Sequence, residues 1–210
     1  MSDLPELPAA AFAKQDGGDD LDFYAPPRLV THIDEGAVAA LTDCYRRLLP
    51  PGGAVLDLMS SWVSHLPDDV GYGKVVGHGM NADELAANEA ATERIVHDLN
   101  LDPRIPLPDD DVDGVVCCVS VDYLVRPIEV LAEVSRVLRP GGTVAITFSN
   151  RCFPTKAVHG WLATTDQQHG TVVAELLRRA GGFTEPIIEL RTAPGEGDPL
   201  YAVTATRVAG

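Results

Sequence analysis

The chain has 210 residues, of which 45% are hydrophobic and 22% charged, and its formal net charge is −15. This size and composition are ordinary for a soluble globular domain with a well-covered core. Proteins that bind nucleic acid or anionic membranes usually carry a basic surface, so a chain this acidic is expected to bind neither.

The sequence shows no signal for membrane insertion or export. It has no run of about 18 apolar residues, and its N-terminal stretch lacks the basic start and apolar core of a signal peptide. Its four cysteines have no metal-ligand spacing, and no metal site is expected. Reduced thiols in a cytoplasmic protein are the predicted state.

The N-terminal region divides into a tail and a helical cap. Residues 1–21 are rich in alanine, proline, glycine and aspartate, and they are predicted to be a disordered tail. An amphipathic helix follows, capped by Asp34 and ending at Pro50. Its apolar face is formed by Val38, Leu41, Tyr45 and Leu48.

The rest of the chain is organised around a short apolar run, residues 54–58, which follows a Pro-Pro-Gly-Gly cluster. With helices predicted on both sides, this run is interpreted as a strand buried on both faces. Asp57 stands near its carboxyl end, and Ser60 and Ser61 follow. Ligands of doubly wound sheets bind where the strands end, so a carboxylate beside small residues suits a nucleoside-type cofactor.

Strands and helices alternate through the remaining sequence. Further strands are predicted at residues 74–80, 94–100, 112–121, 143–148, 187–191 and 201–207. Helices are predicted at residues 82–88, 127–138, 155–164 and 171–180, with Arg-Pro-Gly-Gly at 139–142 closing the second of these. The last two strands are predicted to form an antiparallel hairpin, with the final strand at or near the sheet edge.

Three segments, in this order along the chain, resemble motifs of the class I S-adenosylmethionine-dependent methyltransferases. The likeness extends over about residues 30–207. These segments are residues 107–116, 121–124 and 137–143. The resemblance implies an α/β, Rossmann-like, doubly wound sheet of seven strands in the order 3-2-1-4-5-7-6, with strand 7 antiparallel. It also implies S-adenosyl-L-methionine as cofactor, and a single domain over residues 22–210 with a small helical cap.

Two positions depart from the family pattern. The first loop of the family is usually acidic-x-Gly-x-Gly, whereas residues 57–61 read Asp-Leu-Met-Ser-Ser. The family also tends to end its second strand on an acid that holds the ribose hydroxyls, and Gly79 stands at that position. Serine permits a tight turn with less backbone freedom than glycine. A modified pose, a weaker affinity or a related cofactor therefore remain open, and the chain represents a distinct subgroup.

The resemblance implies cofactor contacts at the strand ends, each with a simpler alternative. Asp57 could hold the methionyl ammonium or only cap its loop. Asn81 could contact the ribose, cap a helix, or do both. Asp98 could accept from the adenine amine or be a solvated loop acid. The predicted cofactor-binding residues are Asp57, Met59, Ser60, Ser61, Met80, Asn81, Asp98, Leu99, Val119 and Ser120.

Methyl transfer from a sulfonium mainly requires positioning and exclusion of water, so no catalytic triad is needed. Asp122 is the first candidate for a general base, with a helix or loop cap as the alternative. Asn150 and Arg151 complete the predicted catalytic set, and Arg151 could bind a substrate carboxylate or phosphate or form a surface salt bridge. The residues predicted to face the substrate are Tyr24, Arg28, His32 and Tyr123.

These observations predict a methyltransferase that acts on a small-molecule acceptor, because the chain lacks a basic surface and has only a small cap. A non-catalytic relative that binds the cofactor, or only a partner protein, is the alternative that the missing glycines motivate. A nicotinamide-dependent oxidoreductase is disfavoured, because no Gly-x-Gly-x-x-Gly motif follows the first strand. The sequence does not reveal the methylated atom or the oligomeric state.

Overall fold

A computed structural model describes residues 8–209, and one sheet of seven strands forms its centre. The strands are β1 (Ala54–Leu58), β2 (Lys74–Gly79), β3 (Glu93–Val96), β4 (Val112–Cys118), β5 (Leu138–Phe148), β6 (Ile187–Leu190) and β7 (Tyr201–Thr206). Their order is β3-β2-β1-β4-β5-β7-β6. Strands β1–β5 are parallel to one another, and β7 is antiparallel to both β5 and β6. The predicted fold is therefore confirmed.

Six α-helices accompany the sheet in the described residues: α1 (Asp20–Tyr24), α2 (Glu35–Leu48), α3 (Ala82–Ala87), α4 (Pro127–Val137), α5 (His159–Leu162) and α6 (Asp166–Ala180). Short 3-10 helices lie at Ala9–Phe12 and Val121–Tyr123. Asp34 caps α2 as predicted, since its side chain accepts from the Ala37 amide at 2.8 Å. Within residues 8–209, no helix is both long enough and apolar enough to cross a membrane.

The whole of β1 is buried, because the sheet is covered on both faces. Val55 belongs to the cluster formed with Leu41 of α2. Leu56, the next residue, belongs to the opposite cluster with Val134 of α4 and Leu177 of α6. Successive side chains of a strand point to opposite faces, so a strand between two layers of helices is apolar at nearly every position.

Several predicted boundaries were wrong. Helix α4 ends at Val137, before residues 139–142 as predicted, but β5 begins at Leu138 instead of Thr143, and its register with β4 shifts there. The helix predicted over residues 155–164 is confined to α5. The following helix begins at Asp166, because a capping box starts it five residues earlier than predicted.

The final strand lies next to the sheet edge, as the prediction of a position at or near the edge allows. Strand β7 lies between β5 and β6, and β6 forms the edge. All four residues of β6 are exposed, whereas Ala202 and Val203 of β7 are fully buried. The predicted antiparallel pairing of these two strands is confirmed.

Residues 8–21 are folded in the structure, where the sequence predicted a disordered tail. Lys14 pairs with Asp20 at 2.5 Å, and the fully buried Lys156 pairs with the same carboxylate at 3.0 Å. These contacts reach across the chain, so the local composition of the tail does not reveal them. Residues 1–7, the rest of the predicted tail, lie outside the described part of the protein.

Candidate functional site

A cavity of about 500 Å³ lies at the carboxyl ends of the parallel strands. Its volume is within the range of roughly 300–1,000 Å³ that is typical of small-molecule sites, and its place in the sheet is where ligands of doubly wound folds bind. Every predicted site residue lines this cavity except Asp122. The structure thus brings these residues together, and their individual roles stay predictions.

The turn after β1 keeps a left-handed backbone although it contains no glycine. Met59, at the position of the first family glycine, has a φ of 57°, a conformation that costs about 1–2 kcal/mol for a residue with a side chain. Val119, at the end of neighbouring β4, has a φ of 42°, which is rarer still for a branched side chain. Such strained residues cluster at ligand sites.

Hydrogen bonds from side chains fix this serine turn, residues 59–61. The Ser60 hydroxyl donates to the Asp57 carboxylate at 2.5 Å. The buried Asn88 amide donates to the Ser61 carbonyl at 3.0 Å and to the Ser64 hydroxyl at 2.9 Å. The neighbouring side chains thus hold the turn in place.

The serine turn lies directly against the end of β2. The Ser60 amide donates to the His78 carbonyl at 2.6 Å. A Cβ atom added to Gly79 would lie 2.3 Å from the Ser60 carbonyl oxygen, closer than these atoms can approach. The acid that the family places at this position therefore cannot be accommodated here, and its loss is linked to the altered turn.

Glu84 of α3 supplies a carboxylate in the same part of the cavity. One of its oxygens accepts from the Ser61 hydroxyl at 2.6 Å, and the other accepts from the Arg28 amide at 2.6 Å. Glu84 is not among the residues predicted from the sequence, although the sequence contains a signal for it. It is the third residue after the helix cap Asn81, and helical side chains tilt toward the helix N-terminus.

Asn81 uses both ends of its side chain in the structure. Its oxygen caps α3 by accepting from the amides of Asp83 and Glu84 at 2.9 and 3.0 Å. Its nitrogen donates to the carbonyls of Tyr24 and Ala25 at 2.9 and 3.0 Å, which fastens α1 to α3. The predicted helix cap is present, and a ribose contact would have to compete with these four hydrogen bonds.

Asp57 is almost completely buried at the end of β1. Burial raises the pKa of its carboxyl to about 7, against the opposing effect of hydrogen bonds from Ser60 and Ser64. The carboxyl is therefore poised to lose its proton near neutral pH, and a cationic ligand group would favour that loss.

Asp122 is buried outside the cavity lining. Burial raises the pKa of its carboxyl to about 7, and its Oδ2 atom has no hydrogen-bond partner among the described residues. A general base must come within hydrogen-bond reach of the proton that it removes. Asp122 does not line the cavity in this structure, so its predicted role would need a rearrangement of the chain.

Asp98 and His97 follow β3, and His78 of β2 lies beside His97. The Asp98 carboxylate accepts a hydrogen bond from the backbone N–H of Asn100 at 2.7 Å. His78 is buried beside His97, with the ring centres 5.4 Å apart, and both line the cavity. Neither ring nitrogen of His78 has a partner in the described part of the chain, and burial lowers its pKa to about 4. Its neutral ring can donate and accept one hydrogen bond each toward a ligand.

Arg151 is already paired on the far side of the cavity. Its Nε atom lies 2.8 Å from a carboxylate oxygen of the nearly buried Asp198. The salt bridge that the sequence analysis left open as an alternative is therefore present. Asn150, next to it, is exposed, and its side-chain oxygen accepts from the Ser149 hydroxyl at 3.3 Å.

The roof of the cavity is formed by α1 and the segment that follows it. His32 has a φ of 63° and its ring centre lies 5.5 Å from that of Phe153. From outside the cavity, the Trp62 indole donates to the Val30 carbonyl at 3.0 Å. Within residues 8–209, no group of three or more His, Cys, Asp or Glu side chains could hold a metal ion.

Comparisons with known proteins agree with this architecture. Residues 60–146 match the family model of a methyltransferase domain, and no curated protein matches the chain. One similar structure is the complex between the Haloferax volcanii Trm112 methyltransferase activator and a proposed methyltransferase. It has 17% identity, a TM-score of 0.63, and coverage of 82% of this chain and 91% of that chain.

Two further solved structures show the same likeness. An S-adenosylmethionine-dependent methyltransferase from Mesorhizobium loti has 16% identity and a TM-score of 0.56, with 80% of this chain and 98% of that chain covered. The [4+2]-cyclase SpnF has 17% identity and a TM-score of 0.61, with 91% and 92% covered. At such identities the structural likeness concerns the fold alone.

Residues 60–146 thus match a methyltransferase domain, and the described chain has the fold of the class I S-adenosylmethionine-dependent methyltransferases. S-adenosylmethionine is the cofactor that this family implies.

Proposed function

We propose that the protein binds S-adenosylmethionine in this cavity and transfers its methyl group to a small-molecule acceptor. The observation that carries the proposal is one continuous cavity of about 500 Å³, which joins the strand-end residues to the aromatic roof. The net charge of −15 favours a small acceptor over a nucleic acid. The free state of all four cysteines is compatible with the cytoplasmic location expected from the sequence.

The side chains of the cavity fit the chemistry of the cofactor. Asp57 in its ionised form complements the methionyl ammonium, and Glu84 can accept from the ribose hydroxyls in place of the missing acid. Asp98 can accept from the adenine amine. The ring nitrogens of His78, which have no partner within residues 8–209, offer a further donor and acceptor to the nucleoside, because burying them without a partner is costly.

The cofactor supplies an activated methyl group when it is bound, and the protein's part is to orient the acceptor and exclude water. Met59 and Val119 fix the strand ends around the site, and the roof residues cover it. Burial raises the pKa of the Tyr24 hydroxyl, so that it remains protonated and can donate a hydrogen bond to the acceptor.

A non-catalytic relative is the alternative, and the strained Met59 in place of a glycine is the observation that favours it. Under this alternative the cavity would hold the cofactor without turnover, and the protein would act through a partner protein. One similar structure is a complex with a methyltransferase activator and another is a cyclase, so this fold occurs in more than one context.

A turnover assay distinguishes the methyltransferase from the non-catalytic relative. The protein is incubated with S-adenosylmethionine and a panel of small acceptors, and formation of S-adenosylhomocysteine and methylated product is followed by mass spectrometry. Product is expected with wild type and with Asp68→Asn, an exposed control, and a loss of at least about tenfold with Asp57→Asn. Cofactor binding without product from any acceptor would favour the non-catalytic alternative.

A further inference from the structure

The roof contains a cluster of aromatic rings from three separate parts of the chain. Tyr24 of α1, Tyr123 after β4 and Phe153 after β5 all line the cavity. The ring centres of Tyr24 and Tyr123 are 6.4 Å apart, and those of Tyr123 and Phe153 are 6.0 Å apart. Phe23 completes the cluster at 5.4 Å from Phe153. Aromatic walls of this kind suit a flat, apolar ligand.

Arg28 brings a positive charge into this aromatic cluster. Its guanidinium carbon lies 4.7 Å from the ring centre of Phe23 and 5.4 Å from that of Phe153. Its nitrogens donate to the backbone carbonyls of Phe23 at 2.8 Å and Pro26 at 3.4 Å. A guanidinium has five N–H donors, so most of them remain available to a ligand.

The charge of Arg28 has no ion-pair partner within residues 8–209, and this distinguishes it from the other arginine of the cavity. Arg151 is paired with Asp198. An arginine held over aromatic rings is preorganised to bind a carboxylate through two parallel hydrogen bonds. In a chain with a net charge of −15, an unpaired cation facing a cavity indicates an anionic ligand.

Tyr24 adds a hydrogen-bond donor beside this cation. Its ring centre lies 5.9 Å from the guanidinium carbon of Arg28. Tyr24 lines the cavity. Its hydroxyl is buried and has no hydrogen-bond partner among the described residues. A buried hydroxyl without a partner is costly unless a ligand satisfies it.

We propose that the methyl acceptor is an aromatic carboxylate, whose acid group binds Arg28 and whose ring lies among Tyr24, Tyr123 and Phe153. This inference rests on the proposed methyltransferase function and names its substrate class. The methionyl carboxylate of the cofactor is a second source of the same chemistry. Tyr123 and Phe153 of the cluster follow β4 and β5. The predicted methionyl contacts Asp57, Ser60 and Ser61 belong instead to β1 and its turn, which favours the acceptor.

The test compares acids with their uncharged analogues. Benzoate, 4-hydroxybenzoate, phenylacetate and indole-3-acetate, each with its primary amide, are titrated calorimetrically into the protein with and without saturating S-adenosylhomocysteine. At least one acid is expected to bind about tenfold or more tightly than its amide. Equal affinity for every acid and its amide, or no binding of any acid, would overturn the proposal.

Variants then locate the recognition. Arg28→Gln is expected to weaken the acid by about tenfold or more and to leave the amide nearly unchanged, and Arg28→Lys should retain part of the preference. Arg47→Gln removes the same charge from the exposed face of α2 and is expected to change neither. If Arg28→Gln does not fold, the comparison of acid and amide on wild type still decides the matter.

A titration with S-adenosylhomocysteine separates the two sources of a carboxylate. Its affinity is expected to be the same in wild type and Arg28→Gln. A loss of about tenfold in that affinity, with the preference for acids unchanged, would assign Arg28 to the cofactor and overturn the proposal. If wild type fails to bind S-adenosylhomocysteine, the proposed function fails, and the titrations without it still test the aromatic subsite.

Discussion

At the scale of single residues, Asp57 shows how burial and ligand charge oppose each other. Burial raises the pKa of its carboxyl to about 7, so the group is largely protonated and neutral below that pH. A cationic ligand stabilises the ionised form. Binding of the cofactor at a lower pH must therefore release a proton, and binding above pH 7 need not.

Affinity for S-adenosylmethionine is accordingly expected to rise between about pH 5.5 and about pH 7.5 and then to level off. Calorimetry in buffers of different ionisation enthalpy measures both the affinity and the proton released. Asp57→Asn should weaken binding and remove the rise. Asp122→Asn is the matched control, because burial also raises the pKa of Asp122 to about 7 and it does not line the cavity. A rise that persists in Asp57→Asn would contradict this account.

Glu84 takes over the role of the missing strand-end acid in this account, because its carboxylate faces the cavity beside the serine turn. Glu84→Gln is expected to weaken S-adenosylhomocysteine by about tenfold, since a hydrogen bond to a charged group contributes roughly 1.5–3 kcal/mol. The exposed neighbour Asp83 lies in the same first turn of α3, so Asp83→Asn controls for the charge at the helix end. Equal losses in the two variants would show that Glu84 makes no specific contact.

At the scale of elements, the turn after β1 and the end of β2 form one structural unit. The turn rests on the backbone of Gly79, and the Asn88 side chain holds it from the other side. The turn itself lacks the glycine that the family uses there. The strand against which the turn lies requires a glycine instead, at position 79.

Gly79→Ala is predicted to destabilise the protein, because its Cβ would lie 2.3 Å from the Ser60 carbonyl oxygen. Overpacking of this kind costs about 1–3 kcal/mol in the free energy of unfolding, which denaturant titration measures. Gly71→Ala is the control, since a Cβ there meets nothing within 4 Å. If the two variants are equally stable, the turn does not lie where the structure has it.

The elements that the sequence predicted best are those fixed by local pattern. The buried strands are continuous apolar runs, and the cap Asp34 precedes an amphipathic helix, so both follow from neighbouring residues. The strand order came from the resemblance to a family. Failures occurred where a distant contact decides the structure, as at residues 139–142, where Gly141 and Gly142 form backbone hydrogen bonds with Arg207, and at residues 8–21, which buried ion pairs hold.

The residues of the candidate site also divide into those that local sequence predicts and those that tertiary contacts decide. Its strand-end residues could be predicted because parallel strands all end at one edge of the sheet. Glu84 was missed because it reaches the cavity from a helix, and His78 was missed because no motif around it indicates a ligand contact. Asp122 was favoured because it follows β4, but its side chain is buried outside the cavity lining. Side-chain direction at such irregular segments depends on tertiary packing.

At the scale of the whole molecule, the N-terminal segment closes the cavity from above. Asp20 lines the cavity, accepts a hydrogen bond from Lys14 and forms an ion pair with Lys156. The side-chain nitrogen of Asn100 donates to the Asp20 carboxylate and to the Tyr123 carbonyl, at 2.9 Å in each case. The roof, the aromatic cluster and the sheet are therefore connected through a few buried polar contacts.

Lys156→Ala is expected to loosen this roof, because it leaves the Asp20 carboxylate with one cation in place of two. Hydrogen exchange of residues 9–24 should become at least about tenfold faster while exchange in β1 and β4 stays slow. Lys74→Ala removes a half-buried pair with Asp111 and serves as control. Unchanged exchange in the N-terminal segment of the Lys156 variant would show that the ion pairs do not hold it.

The central claim is that a turn without glycine still forms the cofactor site at the carboxyl edge of the sheet. Isothermal titration of the wild-type protein with S-adenosylmethionine and S-adenosylhomocysteine tests it most directly. The account predicts one site per chain, with a dissociation constant below about 100 μM for both ligands. Absence of binding for both at about millimolar concentration would contradict it.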